Sequence, residues 1–384
     1  MDFKNIEQKV LSLCPFIKEI SIEKKDDKLF ANIVPNFETL EAANIINIES
    51  EIRWYGVELY NLQAEESQKI LDYKILREPK NIEDKASEPS DEIYQSLKAF
   101  LYKISQKEVT PNSHLELDLG LDSLDYVELF VFLELSYGVD IDEKIFSHIM
   151  VAKDLYNYIK MHKTFVKPSI VDWREILNEV KDDKLIFSPI IMFIYKTLLY
   201  PLFRLYFRLE VKGVEHIPKT ACIIAPTHQS MLDGFLVEST LPYQILKNTF
   251  FLAFTQVFGT KLLHPIATYG QTILIDANID LKDTMQRTAL PLKMGKNLVI
   301  FPEGARTRNR KLLEFRPFFA MLSSIHNVPI VPVIIDGSFE ALPSGKLFPR
   351  PKKIKLHYLE PIYPKDMSYD ELTQLVKSSI EKNL

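Results

Sequence analysis

Thr227-His228-Gln229-Ser230-Met231-Leu232-Asp233 lies just after the apolar run Cys222-Ile223-Ile224-Ala225. That run reads as a buried strand. Thr227 and Ser230 can cap a helix that starts after it. His228 therefore falls on a strand-to-helix loop, the connection from which α/β domains are built. Neutral imidazole is the side chain best suited to take a proton from a hydroxyl near pH 7. It needs an acceptor to fix its tautomer, and Asp233, little more than one helical turn away, supplies one.

A second stretch, Phe301-Pro302-Glu303-Gly304-Ala305-Arg306-Thr307-Arg308, again follows a strand-like run, Asn297-Leu298-Val299-Ile300. Gly304 frees the backbone to approach a ligand. Arg306 and Arg308 offer planar forks suited to phosphate. The two stretches, in this order and spacing, resemble the glycerolipid acyltransferases, which include the lysophosphatidic acid acyltransferases. Val328-Pro329-Ile330-Val331-Pro332-Val333 resembles that family's fourth block. The resemblance covers about residues 185–384. It implies His228 as general base, Asp233 as its orienting partner, and Glu303, Gly304, Arg306 and Arg308 around the acceptor phosphate.

Two positions depart from the family pattern. Its second block often ends Ile-Asp-Arg, whereas Leu274-Ile275-Asp276-Ala277 lacks the arginine. Phe318 stands where the family often has glycine after a Phe-basic pair. The missing arginine leaves a lysophospholipid with a substituted phosphate as good an acceptor as lysophosphatidate. Acylglycerophosphoethanolamine acyltransferases fused to synthetase lobes tend to show the same gap.

Farther upstream, Leu115-Glu116-Leu117-Asp118-Leu119-Gly120-Leu121-Asp122-Ser123-Leu124-Asp125 precedes a helical pattern that runs to about Tyr137. Ile93, Leu97, Phe100, Leu101 and Ile104 recur at helical spacing before it, and a last helix is expected over 151–161. This four-helix pattern around Asp122-Ser123-Leu124 resembles an acyl carrier protein. The resemblance implies covalent 4'-phosphopantetheine on Ser123, at a helix start whose positive end suits a phosphodiester. It implies a phosphopantetheinyl transferase as partner. Asp125, Glu128 and Glu134 are expected to be docking charges for basic partners. The plain reading of Ser123 is a helix cap.

Ile17–Ile22 and Leu29–Val34 alternate in part at period two, with Asp26-Asp27 as a hairpin turn, and a helix is expected over 45–62. This segment resembles the C-terminal lobe of AMP-forming acyl synthetases. No large adenylate-forming lobe is read beside it, so no ATP chemistry is expected of this segment. Lys80 and Lys85 occur where the family's Gly-Lys loop should fall, without the glycine. A docking or vestigial module is expected, served by a separate AMP-forming acyl-activating enzyme. Pro79, Pro89 and the charges between them read as a linker.

The net charge of -5 hides an asymmetry: residues 1–88 and 89–163 each carry -6, and 164–384 carry +7. A basic module suits anionic head groups and phosphate ligands, and no aromatic-basic platform marks a nucleic-acid partner. The cysteines, Cys14 and Cys222, lie far apart and read as reduced thiols. Met1 to Lys9 is polar and mixed in charge, unlike a signal peptide. No histidine-cysteine cluster points to a metal.

Trp173, Ile176, Leu177 and Val180 form one helical face, with Ser169 as the expected cap. Leu185 to Phe203 is nearly all apolar, but Pro189, Lys196 and Pro201 interrupt it. Monotopic insertion, with Lys196, Arg204 and Arg208 at the head groups, fits better than a span.

The expectation is a multidomain chain. It comprises a small α+β lobe (1–88), a four-helix acyl-carrier bundle (89–163), a linker with membrane-associated helices (164–215) and an α/β acyltransferase domain (216–384). Its expected work is moving a fatty acyl chain from a phosphopantetheine thioester to the hydroxyl of a lysophospholipid or lysophosphatidate. The expected place is the cytoplasmic face of the bacterial inner membrane. A membrane-tethered carrier or docking protein, and an acyl-CoA-dependent transferase with a regulatory carrier, are the alternatives.

Overall fold

The computed structural model describes residues 2–25, 28–77, 88–141, 143–167, 169, 171–178, 185–255, 264–275, 281–343 and 348–384. Asp26-Asp27, Lys80, Lys85, Val180, Asp276 and Ala277 lie outside the described residues. The chain divides into two compact units, one of residues 1–176 with 276–283, the other of 177–275 with 284–384.

The first unit opens with α1 (Phe3–Leu13), capped by the Asp2 carboxylate, which accepts the Asn5 N–H. Strands β1 (Ile17–Lys25) and β2 (Lys28–Pro35) pair antiparallel, α2 (Phe37–Ala42) follows, and β3 (Ile70–Ile75) joins parallel to β2. Period-two alternation turns Ile20, Ile22, Leu29, Ala31 and Ile33 into one core. The helix expected over 45–62 forms as one uninterrupted run, α3 (Ile48–Glu51), a π-helical stretch (Ile52–Glu58) and α4 (Leu59–Gln63). Gly56 lies in the widened part, where a Cβ would come within 2.9 Å of Ile17 Cδ1. The backbone there packs directly on β1, a contact no local pattern displays.

Four helices of the carrier pattern follow: α5 (Glu92–Ser105), α6 (Ser123–Tyr137), α7 (Glu143–Phe146) and α8 (Ala152–His162). Leu97, Leu101, Val127, Leu133, Leu155 and Ile159 are fully buried. Phe100 stacks on Phe132 at 4.0 Å. Next comes α9 (Trp173–Asn178), whose cap is not Ser169 as expected. Asp172, immediately before the helix, accepts the Arg174 N–H, and Ser169 Oγ donates to the Leu135 carbonyl.

The second unit contains α10 (Pro189–Tyr206), β4 (Glu210–Lys212), β5 (Ile223–Pro226), α11 (Asp233–Thr240), α12 (Tyr243–Leu246), β6 (Thr249–Phe254), α13 (His264–Tyr269), β7 (Thr272–Ile275), β8 (Asn297–Val299), α15 (Phe318–His326), β9 (Ile330–Asp336), α16 (Ser338–Ala341), β10 (Lys355–Tyr358) and α17 (Tyr369–Glu381), with α14 (Leu281–Lys293) running into it. The seven strands are ordered β4-β10-β9-β5-β8-β6-β7. All neighbours are parallel except β9 and β10. The residues of β5 are buried throughout, as a central parallel strand requires. The three-residue edge strand β4 was not anticipated, because Glu-Val-Lys is too short to show a period.

Among the described residues no helix is long and apolar enough to cross a membrane. Helix α10 buries Met192 and Phe203 in the unit's core. Lys196 is not at the head groups, as expected. Its Nζ donates to the Ser239 and Leu241 carbonyls at 3.0 and 2.6 Å and closes the C-terminal end of α11. Burial lowers its pKa. Losing these bonds through Lys196→Met is expected to cost about 2 kcal/mol, the scale of hydrogen bonds from a charged donor. Urea denaturation followed by tryptophan-independent circular dichroism, against the parent chain, reads this out.

Candidate active site and carrier attachment site

Strands β5 and β8 are parallel neighbours, so the loops leaving their C-terminal ends lie side by side. Thr227 pins the first loop to β9: its N–H donates to the Val333 carbonyl and its Oγ1 accepts the Ile335 N–H. His228 then meets the second loop twice through its backbone. Its N–H donates to Glu303 Oε1 at 2.7 Å, and its carbonyl accepts the Thr307 N–H at 2.9 Å.

Asp233 opens α11 and is fully buried. One oxygen, Oδ2, accepts from His228 Nδ1 at 3.0 Å, from the Gln229 N–H at 2.6 Å and from the Ser230 N–H at 2.7 Å. A carboxylate facing Nδ1 puts the ring proton there and leaves the lone pair on Nε2. The imidazole lies on the Phe301 ring, with centroids 4.0 Å apart and planes 26° apart. Burial lowers the His228 pKa, Asp233 opposes that, and the Arg306 charge adds to it. The ring is thus a neutral base whose basic nitrogen has no hydrogen-bond partner among the described residues.

Glu303 is buried, and its carboxylate is engaged with main chain. Besides the His228 N–H it accepts the Leu313 N–H at 2.9 Å. Burial pushes its pKa up to about 7 against the pull of those two bonds. Gly304 beside it has φ of +63°, the left-handed region that favours glycine. Arg306 and Arg308 follow, both half-buried, with Arg306 near enough for its charge to act on His228. The structure thus brings His228, Asp233, Glu303, Gly304 and Arg306 to one place. Two contacts could not be read from the motifs: Phe301 opens the second stretch but its place under the imidazole was not expected, and the Leu313 amide on Glu303 lies beyond it. A phenylalanine ending a strand reads as core, and a backbone amide leaves no mark on sequence. Both thiols are buried, and burial pushes Cys222 up to about 12 and Cys14 up to about 11, so neither is a nucleophile near neutral pH. Among the described residues no group of three or more His, Cys, Asp or Glu is placed to hold a metal ion.

In the first unit Ser123 is the first residue of α6, and Asp122 is the cap. The Asp122 carboxylate accepts the Leu124 and Asp125 N–H groups, and Asp125 Oδ2 accepts the Asp122 N–H. Asp125, expected as a docking charge, is therefore bound into a capping box. Glu128 accepts Trp173 Nε1–H at 3.1 Å. Because Asp122 does the capping, the Ser123 hydroxyl is not tied to its own helix. A half-buried hydroxyl at the positive end of α6 fits a phosphodiester-linked arm.

Glu303 makes stability depend on pH. In the folded protein it keeps a proton up to about pH 7 that an unfolded chain releases near pH 4.5. The folded state therefore loses stability as pH rises across that window, by about 3 kcal/mol in all. Chemical denaturation at pH 5 and pH 8 is expected to show a smaller pH difference in Glu303→Gln than in the parent chain.

The acyltransferase family model matches residues 208–336, and the phosphopantetheine attachment site model matches residues 91–159. A 1-acyl-sn-glycerol-3-phosphate acyltransferase of Limnanthes douglasii is 33% identical over 172 residues, 44% of this chain and 59% of that protein. One from Pseudomonas aeruginosa is 30% identical over 130 residues, 33% of this chain and 48% of that protein. The chain thus spans less than two thirds of the curated acyltransferases it resembles. An acyl carrier protein of Rickettsia bellii is 31% identical over 96 residues, 24% of this chain and 100% of that protein. Ser123 with its capping box falls inside one matched segment, and the His228–Asp233 pair with the 301–308 loop falls inside the other. Through residues 91–159 the chain belongs to the acyl carrier protein family, and over residues 208–336 it carries a domain of the acyltransferase family.

Proposed function

We propose that the chain is an O-acyltransferase that uses its own carrier domain as acyl donor and acylates the free hydroxyl of a lysophospholipid or lysophosphatidate. The observation that carries this is the imidazole held by Asp233 with Nε2 unspent, beside a phosphate-suited Gly-Ala-Arg-Thr-Arg loop. Phosphopantetheine on Ser123 supplies a thiol on which an acyl chain is held as a thioester. His228 Nε2 takes the proton of the acceptor hydroxyl as its oxygen attacks the acyl carbonyl. Asp233 supports the imidazolium until its proton passes to the departing sulfur. Arg306 and Arg308 hold the acceptor phosphate, and Gly304 lets the backbone approach it. The acyl transfer is direct, because burial keeps both cysteines protonated and, among the described residues, the only side chain hydrogen-bonded to the imidazole is Asp233. Carrying donor and transferase on one chain raises the donor's effective concentration to about the millimolar range where the linker reaches.

The proposed location is the cytoplasmic face of the bacterial inner membrane. Exposed apolar side chains along α10, with Ile190 at 73% and Leu205 at 81% exposure, support insertion into one leaflet. Arg204 and Arg208 near its end suit lipid head groups. A phosphopantetheinyl transferase and a separate AMP-forming acyl-activating enzyme are the proposed partners.

Removing the base is expected to cost about 10² to 10⁴-fold in acyl transfer. His228→Ala should therefore lose transfer of a labelled acyl chain to lysolipid while Ser123 still becomes loaded, as intact-protein mass spectrometry reads. Retained transfer in His228→Ala defeats the enzyme reading. Full activity of Ser123→Ala on acyl-CoA removes the carrier from the reaction. Because burial lowers the His228 pKa, the acid limb of the rate profile is expected below the ordinary imidazole value of 6.5.

A further inference from the structure

Residues 2–77 lie outside both matched segments, and within the first unit they grip the loop that presents Ser123. Asn47, 6% exposed, accepts the Ser123 hydroxyl proton on Oδ1 at 3.0 Å. Glu116, seven residues before Ser123, accepts the Ile48 and Glu49 N–H groups with its two oxygens, both at 2.8 Å. Arg77 donates to the Asp118 carboxylate at 2.7 Å and to the Asn112 carbonyl at 2.8 Å. Phe37 lies against His114 with ring centroids 5.7 Å apart. Every one of these bonds joins the N-terminal lobe to residues 112–123 of the carrier.

We propose that the Asn47–Glu49 and Arg77 face of the lobe is a recognition surface for this chain's own unmodified carrier, which it holds until Ser123 is phosphopantetheinylated. Loading forms a bond from Ser123 Oγ to the phosphorus of a pyrophosphate-linked pantetheine donor. The bond from that phosphorus to the nucleotide leaving group breaks, and the hydroxyl proton leaves with the transferase's base. The hydroxyl proton that must leave is engaged by Asn47 Oδ1 in the held state, so the transferase competes with the lobe for Ser123.

The product is also a poor ligand for the same surface. A phosphodiester has no proton for Asn47 Oδ1 to accept, and it brings a negative charge. The surroundings are already acidic: burial first, and then the nearby Glu49 and Asp122 charges, raise the Glu116 pKa to about 8. Arg53, 3.6 Å from Glu49, and Arg77 are the cations facing this group from the lobe, with Lys107 donating to the Asp118 carbonyl from the carrier. Tyr73 donates its hydroxyl proton to Glu49, and buried Tyr126 faces Glu116 from α6. Modification therefore removes one bond and adds like-charge repulsion, which together release the loop.

The test uses the full-length unmodified chain, coenzyme A and a phosphopantetheinyl transferase, with loading followed as the mass shift on Ser123. Asn47→Ala and Arg77→Ala are expected to load about two- to tenfold faster than the parent, the range of one net hydrogen bond. Equal loading rates in parent and both folded variants overturn the proposal. A second measurement needs no variant: hydrogen exchange at the Ile48 and Glu49 amides is expected to quicken once the parent chain is loaded. Unchanged exchange there overturns it as well. The proposal rests on the carrier reading alone, and absence of any mass shift counts against that reading, whereas a loading rate insensitive to the lobe counts only against the latch.

Discussion

Three N–H donors converge on one oxygen of Asp233, and the second unit's site depends on that convergence. A carboxylate taken fully out of water is unfavourable by several kcal/mol unless it is bonded. The donors are the His228 ring and the backbone amides of Gln229 and Ser230, all within the turn that leads from β5 to α11. Opening that turn would strand the buried carboxylate. The orientation of the imidazole thus follows from the burial of its partner more than from the packing of the ring itself. Sheet order supplies the rest, since β5 lies between β9 and β8 and each contributes a tether to the His228 loop.

Two carboxylates meet His228, and they act on different parts of it. Asp233 takes the ring proton, whereas Glu303 takes the backbone N–H and ties the neighbouring loop to it. The division matters for basicity. Burial and the Arg306 charge pull the imidazole pKa down, and Asp233 alone among the named causes pulls it up. A base that remained charged at neutral pH could not accept a proton, and one pulled down without opposition would accept it weakly. The Asp233 bond holds the balance between those limits while fixing the tautomer.

Much of this was legible because apolar β-branched runs punctuate the second half of the chain, and the strand-like runs at 222–225 and 297–300 correspond to β5 and β8. The five-residue spacing of His228 and Asp233 carried the pairing, since one turn after a strand leaves few other ways to place them. What was not legible involves atoms or neighbours that local sequence does not display. The π-helical stretch around Gly56 leaves no local mark, and the space a Cβ there would need is taken by a side chain far away in sequence, Ile17. Lys196 reads as a charge interrupting an apolar helix, and its destination is a pair of carbonyls at the end of another. Ser169 and Asp172 both precede a helix, and the nearer, acidic one caps it.

Glu116 and Glu303 show why such features escape a motif. They lie in different units, yet each is a buried carboxylate accepting two backbone N–H groups from elsewhere in the chain. A backbone amide can be offered by almost any residue, so the receiving stretches, Ile48-Glu49, His228 and Leu313, need share no sequence feature. In both, burial outweighs the two N–H bonds and raises the pKa, to about 8 and about 7. A carboxyl poised to take up a proton near neutral pH still accepts through its carbonyl oxygen, but it grips less firmly than a charged one. Such a brace suits a loop that has to be let go, as the carrier loop does when Ser123 is modified. At His228 the looser brace holds only the backbone, and the three-donor Asp233 holds the ring.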